Sequence, residues 1–159
     1  MRNFFLLTLM LFCGATAAQT PVASMDSFPQ DTLAIATPDA RMHRFKIWIA
    51  DNDTRRMQGL MFVKALPSDQ GMLFIYPSAR PIAMWMKNTF ISLDMLFIKA
   101  DGRVARVAAS TKPHSLQTIE AGESVLAVLE LPAGTAKRLN IARGALVMHA
   151  AFDKAKAAR

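Results

Sequence analysis

Trp85, Lys87, Asn88 and Asp94 are the residues of this chain whose types and spacing suit the binding of a ligand. The first three lie in the stretch Met84-Trp85-Met86-Lys87-Asn88-Thr89, and Asp94 follows shortly after it. On a strand, successive side chains alternate between faces, so Trp85, Lys87 and Thr89 share one side and Met84, Met86 and Asn88 the other. Neither side is purely apolar, which predicts that at least one borders a cleft. An indole beside an ammonium group forms a flat amphipathic surface that stacks on a sugar or holds a carboxylate or phosphate. The competing reading is structural: Trp85 enters the core and Lys87 carries its charge out to water.

Asp94 and Glu130 each interrupt a run that is otherwise apolar on both sides. A buried carboxylate is costly unless it is paired or accepts several hydrogen bonds, and Lys87, Arg55, Arg56 or loop amides could serve. Two alternatives to a ligand site follow. Lys87, Asn88 and Asp94 could form a buried network that fixes the fold, with function left to a protein-binding surface. Asp94 and Glu130 could instead act as acid and base of a carboxylate-dependent hydrolase. No residue is assigned as catalytic.

Met84 and Met86 form a Met-x-Met pair, and soft thioethers bind Cu(I). Met57, Met61, Met72 and Met95 occupy core-like positions, where methionine is a common filler, so no metal site is assigned. His43, His114 and His149 lack the close spacing of a zinc site. The serines form no nucleophile elbow, and the few glycines match neither a dinucleotide fingerprint nor a phosphate-binding loop. These absences argue against nucleotide chemistry, and no cofactor is expected.

The elements that must position these residues read as follows. Phe45, Ile47 and Ile49 alternate with Arg44, Lys46 and Trp48, the period of a half-exposed strand over residues 42–50. Asp53 suits the N-cap of a helix whose Met57, Leu60 and Met61 form a core-facing stripe. Gly59 inside it costs about 1 kcal/mol relative to alanine, which suggests a close backbone approach. Residues 72–76 read as a buried strand bounded by Pro77, with a new run opening at Pro81. Leu93 to Ile98 and Arg103 to Val107 form a hairpin about the Asp101-Gly102 turn. Val125 to Leu131 is another buried strand, Pro132-Ala133-Gly134 leads into a short helix, and Leu146 to Ala150 forms the last strand. The pattern predicts a mainly β, single-domain sandwich or barrel with one or two short helices.

The N-terminus has the layout of a secretory signal peptide. A short positive start is followed by the apolar run Phe4 to Cys13 and then by the small residues Gly14 to Ala18. That run is well short of the roughly 20 residues of a membrane span. The expected organisation is signal peptide 1–18, flexible leader 19–32, one β domain 33–152 and a disordered tail 153–159. Cleavage after Ala18 removes the only cysteine, Cys13, so the mature chain would rely on packing rather than a disulfide. Of the 19 Lys plus Arg, Arg2 leaves with the signal, so 18 against 12 Asp plus Glu give a mature net charge of +6. The basic residues are scattered as on a solvated face, and no nucleic-acid partner is expected. The expectation is a periplasmic or secreted monomer with no stable membrane anchor.

Six motifs, in order, resemble the DUF192 family, also called UPF0127. They are Met57-Gln58-Gly59-Leu60-Met61, Gly71-Met72-Leu73-Phe74, Trp85-Met86-Lys87-Asn88-Thr89, Ile91-Ser92-Leu93-Asp94, Asp101-Gly102 and Glu130-Leu131-Pro132-Ala133-Gly134. The resemblance spans about residues 33 to 150. It implies a compact β-rich domain of jelly-roll-like kind, often exported in bacteria, and assigns no activity to any residue. The resulting expectation is a small-ligand or glycan binding or accessory module, with a cleft bordered by Trp85, Lys87, Asn88 and Asp94 that takes a small polar or anionic ligand.

Overall fold

The computed structural model describes residues 24–157; the expected signal peptide lies outside them. A 3-10 turn, Met25–Ser27, leads into strands β1, Gln30–Ala36, and β2, Met42–Ala50. The first strand thus begins inside the stretch assigned to the leader, and Phe28 just before it is buried against the core. Helix α1, Asp53–Gln58, is capped by Asn52, whose side chain accepts from the Arg55 amide at 2.9 Å, rather than by Asp53. It ends at Gln58 because Gly59 turns the chain at φ 50°, so Met57 is exposed and only Leu60 of the expected stripe is buried. A Cβ on Gly59 would lie 2.9 Å from the Phe74 ring. The close approach predicted there is made by a side chain, not by backbone.

Strands β3, Gln70–Met84, β4, Leu93–Ile98, β5, Val104–Ala108, and β6, Ile119–Pro132, follow. Pro77 does not end β3. The chain instead bulges outward, since Ile75 pairs with Ala127 while Arg80 pairs with Val125. Five steps of β3 therefore oppose two of β6, a departure of the kind that re-aims side chains. Helix α2, Thr135–Arg138, strand β7, Leu146–Met148, and helix α3, Ala150–Ala157, complete the chain, with α3 crossing the start of the expected tail. Among the described residues no helix is long and apolar enough to cross a membrane.

The seven strands form one sheet in the order β5-β4-β6-β3-β2-β1-β7. Only β2 and β3 pair in parallel, with α1 in the connection between them. The sheet curls until its edges touch: Arg103 bridges to Leu146, the Val104 amide donates to the Ala145 carbonyl at 2.9 Å, and the Val147 amide donates to the Gly102 carbonyl at 2.8 Å. Gly102 has φ 84°, and a Cβ there would stand 2.6 Å from the Val147 carbonyl oxygen, so the joint requires glycine.

Alternation along the strands splits the core in two. Leu33, Phe45, Leu73, Leu96, Val104, Leu129 and Val147, drawn from all seven strands, fill the concave inside. On the convex side Met72, Phe74, Met95, Phe97 and Val128 pack with Leu60 and Met86 from the loops. That outer layer places the candidate site.

Candidate functional site

Strand β3 ends at Met84, so the alternation expected for the following residues does not hold. Met86 turns fully inward and its thioether accepts the Thr111 hydroxyl at 3.2 Å. Trp85 stays 47% exposed, with the Lys87 ammonium 5.2 Å from its ring centre. The two residues thus form a stacked cation and indole on the surface. Asn88 sits in the left-handed region at φ 54° and aims its carbonyl at the Phe62 amide, 2.9 Å away. The segment is a turn held from both sides. Its Met86 amide donates to the Ser115 carbonyl at 3.0 Å, and the Thr89 carbonyl accepts the His114 amide at 3.2 Å.

These bonds gather loops 59–68, 85–92 and 109–118 into one face. Besides Trp85 it displays Phe62, which is 43% exposed, and the exposed Phe90 and Leu116. Phe62 meets Phe90 edge to face with centroids 5.9 Å apart, and Phe90 packs on the His114 ring at 5.3 Å. Lys64, Lys87, Lys112 and His114 are the basic residues of the three loops, and their sequence contains no Asp or Glu. Phe62, Asn88, Ser110 and His114 all have positive φ, between 51° and 66°. A bulky residue in that region costs of order 1–3 kcal/mol and persists only where its surroundings impose it. Phe62 and Phe90 were missed in the sequence because an aromatic in an apolar run reads as core, and His114 was weighed only as a zinc ligand; no signal marks the three as neighbours until the loops are assembled.

Asp94 is fully buried and does not join Trp85 and Lys87 on that face. Its Oδ1 accepts the Ser110 amide and its Oδ2 the Ala136 amide, both at 2.8 Å. It thereby ties loop 109–118 to the first turn of α2, through backbone amides rather than through Lys87 or an arginine. Of the four predicted residues, Trp85 and Lys87 are together at the surface, Asn88 anchors their turn, and Asp94 supports the platform from inside. They border no common cleft. A groove of about 390 Å³ lies elsewhere, between β5 and the start of β6, lined by Arg106, Gly122, Glu123 and Arg143 among others.

Glu130 lies opposite Met72 on one side and Met95 on the other, within the convex layer. Asp94 is opposite Leu131, whose side chain belongs to the concave layer. The two carboxyls therefore face opposite sides of the sheet and cannot act on one bond as acid and base. Glu130 is only 4% exposed, and burial pushes its carboxyl up to about 8. Burial is the cause of that shift, and it favours the protonated form of the group. The thioether of Met84 accepts the Tyr76 hydroxyl at 3.6 Å, and among the described residues no group of three or more His, Cys, Asp or Glu could hold a metal ion.

Two solved structures share this architecture. One is a protein from Sinorhizobium meliloti 1021, provisionally named a transcription regulator, with 39% identity, a TM-score of 0.77 and coverage of 79% of this chain and 97% of that one. The other is a protein of unknown function from Novosphingobium aromaticivorans DSM 12444, with 31% identity, a TM-score of 0.76 and coverage of 84% and 94%. No curated protein sequence matches the chain. Residues 34–149 match the pattern of DUF192, described as an uncharacterized ACR. The curled seven-stranded sheet, the motif-bearing loops and this match together place the chain in the DUF192 family.

Proposed function

We propose that the protein is an exported binding module that takes an extended anionic glycan on the face formed by Trp85, Lys87, Phe62, Phe90 and His114. The observation that carries this reading is the exposure of three aromatic rings on loops held in strained conformations, among basic residues with no loop carboxylate. Aromatic faces stack on the apolar faces of sugar rings, and ammonium groups hold their carboxylates. The face is open, which suits a chain-like ligand better than an enclosed small molecule. Export rests on the amino-terminal sequence, and cell fractionation tests it directly.

The binding experiment is retardation of the protein in gels containing polygalacturonate, with dextran as the neutral polysaccharide. Retardation by the first alone, reduced at least tenfold in Trp85→Ala and Lys87→Ala proteins that remain folded, supports the reading. Equal mobility of wild type and both variants would sink it. Duplex DNA belongs in the same series, given the name of the Sinorhizobium relative; retention on DNA at physiological salt would replace the glycan.

A further inference from the structure

The outward bulge of β3 builds a second polar cluster, on the convex layer and independent of Trp85 and Lys87. Tyr76 at its start lies under two guanidinium groups, Arg56 at 5.2 Å and Arg80 at 5.0 Å from the ring centre. Arg56 comes from α1 with a side chain only 11% exposed, fixed by bonds to the Ile75 carbonyl at 2.6 Å and to Asp53 at 2.7 Å. Arg80 is exposed, and its contact is the Tyr76 ring. Burial lifts the Tyr76 phenol above its ordinary value, and the two arginines beside it draw it part of the way back.

Each part has a structural cost. Two cations held beside one ring repel each other. A buried carboxyl loses its hydration. A bulge of three extra residues interrupts the longest strand pair. The two arginines and the tyrosine have the composition of an oxyanion site: planar forks of N–H donors and a phenol.

We infer that Arg80, Arg56 and Tyr76 bind a phosphate or carboxylate group of a small ligand. Arg80 supplies the open fork and most of the attraction. Arg56 is already oriented by Asp53 and Ile75 and needs no reorganisation. The Tyr76 hydroxyl exchanges its weak bond to the Met84 thioether for one to the incoming oxygen.

The test uses the mature protein and inorganic phosphate as probe, with chloride at matched ionic strength as reference. Binding is read from the shift of the thermal midpoint and from isothermal titration. The expected result is a phosphate-specific rise in the midpoint, with affinity falling at least tenfold in Arg80→Ala. Because Arg80 is exposed, that variant keeps the fold. Trp85→Ala should leave the phosphate response unchanged, which separates this site from the glycan face. Acetate in place of phosphate distinguishes a carboxylate site from a phosphate site, and a response to either supports the inference. No anion-specific response in wild type would overturn it, as would a response that survives in Arg80→Ala but is lost in Arg106→Ala, in the groove beside β5.

Discussion

Asp94 and Glu130 stand one register step apart on neighbouring antiparallel strands, yet their carboxyl groups point to opposite faces of the sheet. Pleating alone produces this separation. One carboxylate accepts two backbone amides at 2.8 Å and acts as a clamp, whereas burial favours the protonated form of the other. Chemistry that needs both on one substrate is excluded, and each acquires its own test.

Replacing Asp94 by alanine should lower unfolding stability by about 3 kcal/mol, because the Ser110 and Ala136 amides lose their acceptors inside the protein. Asp94→Asn keeps one acceptor oxygen and should cost about half as much. Urea unfolding with an unchanged slope measures both. A loss within about 0.5 kcal/mol for the alanine variant would mean that Asp94 is not the clamp described.

Glu130 makes stability depend on pH in a defined direction. Its folded value is raised from 4.5 to about 8, so the folded state holds a proton that the unfolded state has released. That contribution is fully present below about pH 4.5 and is lost as pH rises to about 8. Glu130→Gln removes the titration. The stability of wild type relative to this variant should therefore fall steadily between those limits and level off above them. A difference that does not change with pH would show that Glu130 is ionised in the folded protein.

Two glycines with positive φ should respond unequally to alanine. At Gly122, φ 82°, no atom lies within 4 Å of a new Cβ, so only the backbone cost of about 1–2 kcal/mol applies. At Gly102, φ 84°, the Val147 carbonyl is 2.6 Å away, and the joint between the sheet edges must part as well. Gly102→Ala should have the clearly lower thermal midpoint. Equal midpoints would show that the joint contributes nothing to stability.

Phe62 offers a test of strain. Its φ of 66° suits glycine, so Phe62→Gly relieves about 1 kcal/mol that Phe62→Ala retains, although glycine removes more side chain. Glycine should be the more stable variant by roughly that amount in urea unfolding. Both should lose retardation by polygalacturonate, because both remove the ring. The reverse order of stability would show that the loop is not strained at this position.

Much of the fold was legible because it rests on short-range pattern. The alternation of β2, the Asp101-Gly102 hairpin and the all-apolar runs of β4 and β6 identified strands without any knowledge of their partners. The same logic marked Asp94 and Glu130 as anomalous, and both are buried. It failed where contacts between distant segments decide the conformation. Met84 to Thr89 carries strand-like residues, but the amides of Met86, Phe62 and His114 pair across three loops, and those bonds turn the chain. Pro77 looked like a terminator, yet it sits in a bulge where the ladder needs no amide from it. The Trp85 and Lys87 pairing could be read locally because two residues suffice to make it. The aromatic contacts of Phe62, Phe90 and His114 join three separate loops and could not.

The meeting of the sheet edges at Gly102 and Val147 also governs the order in which the molecule can assemble and come apart. The joint needs β7 seated beside β1, a pairing between the two ends of the described chain, so the ring closes only once that long-range contact is made. The joint holds a single bridge, against three register pairs in the shortest ladder, that of β1 with β7. A thermal fluctuation opens a ring at its thinnest link. Here that link would part between β5 and β7, wetting the concave core while the convex layer and its loops remain assembled.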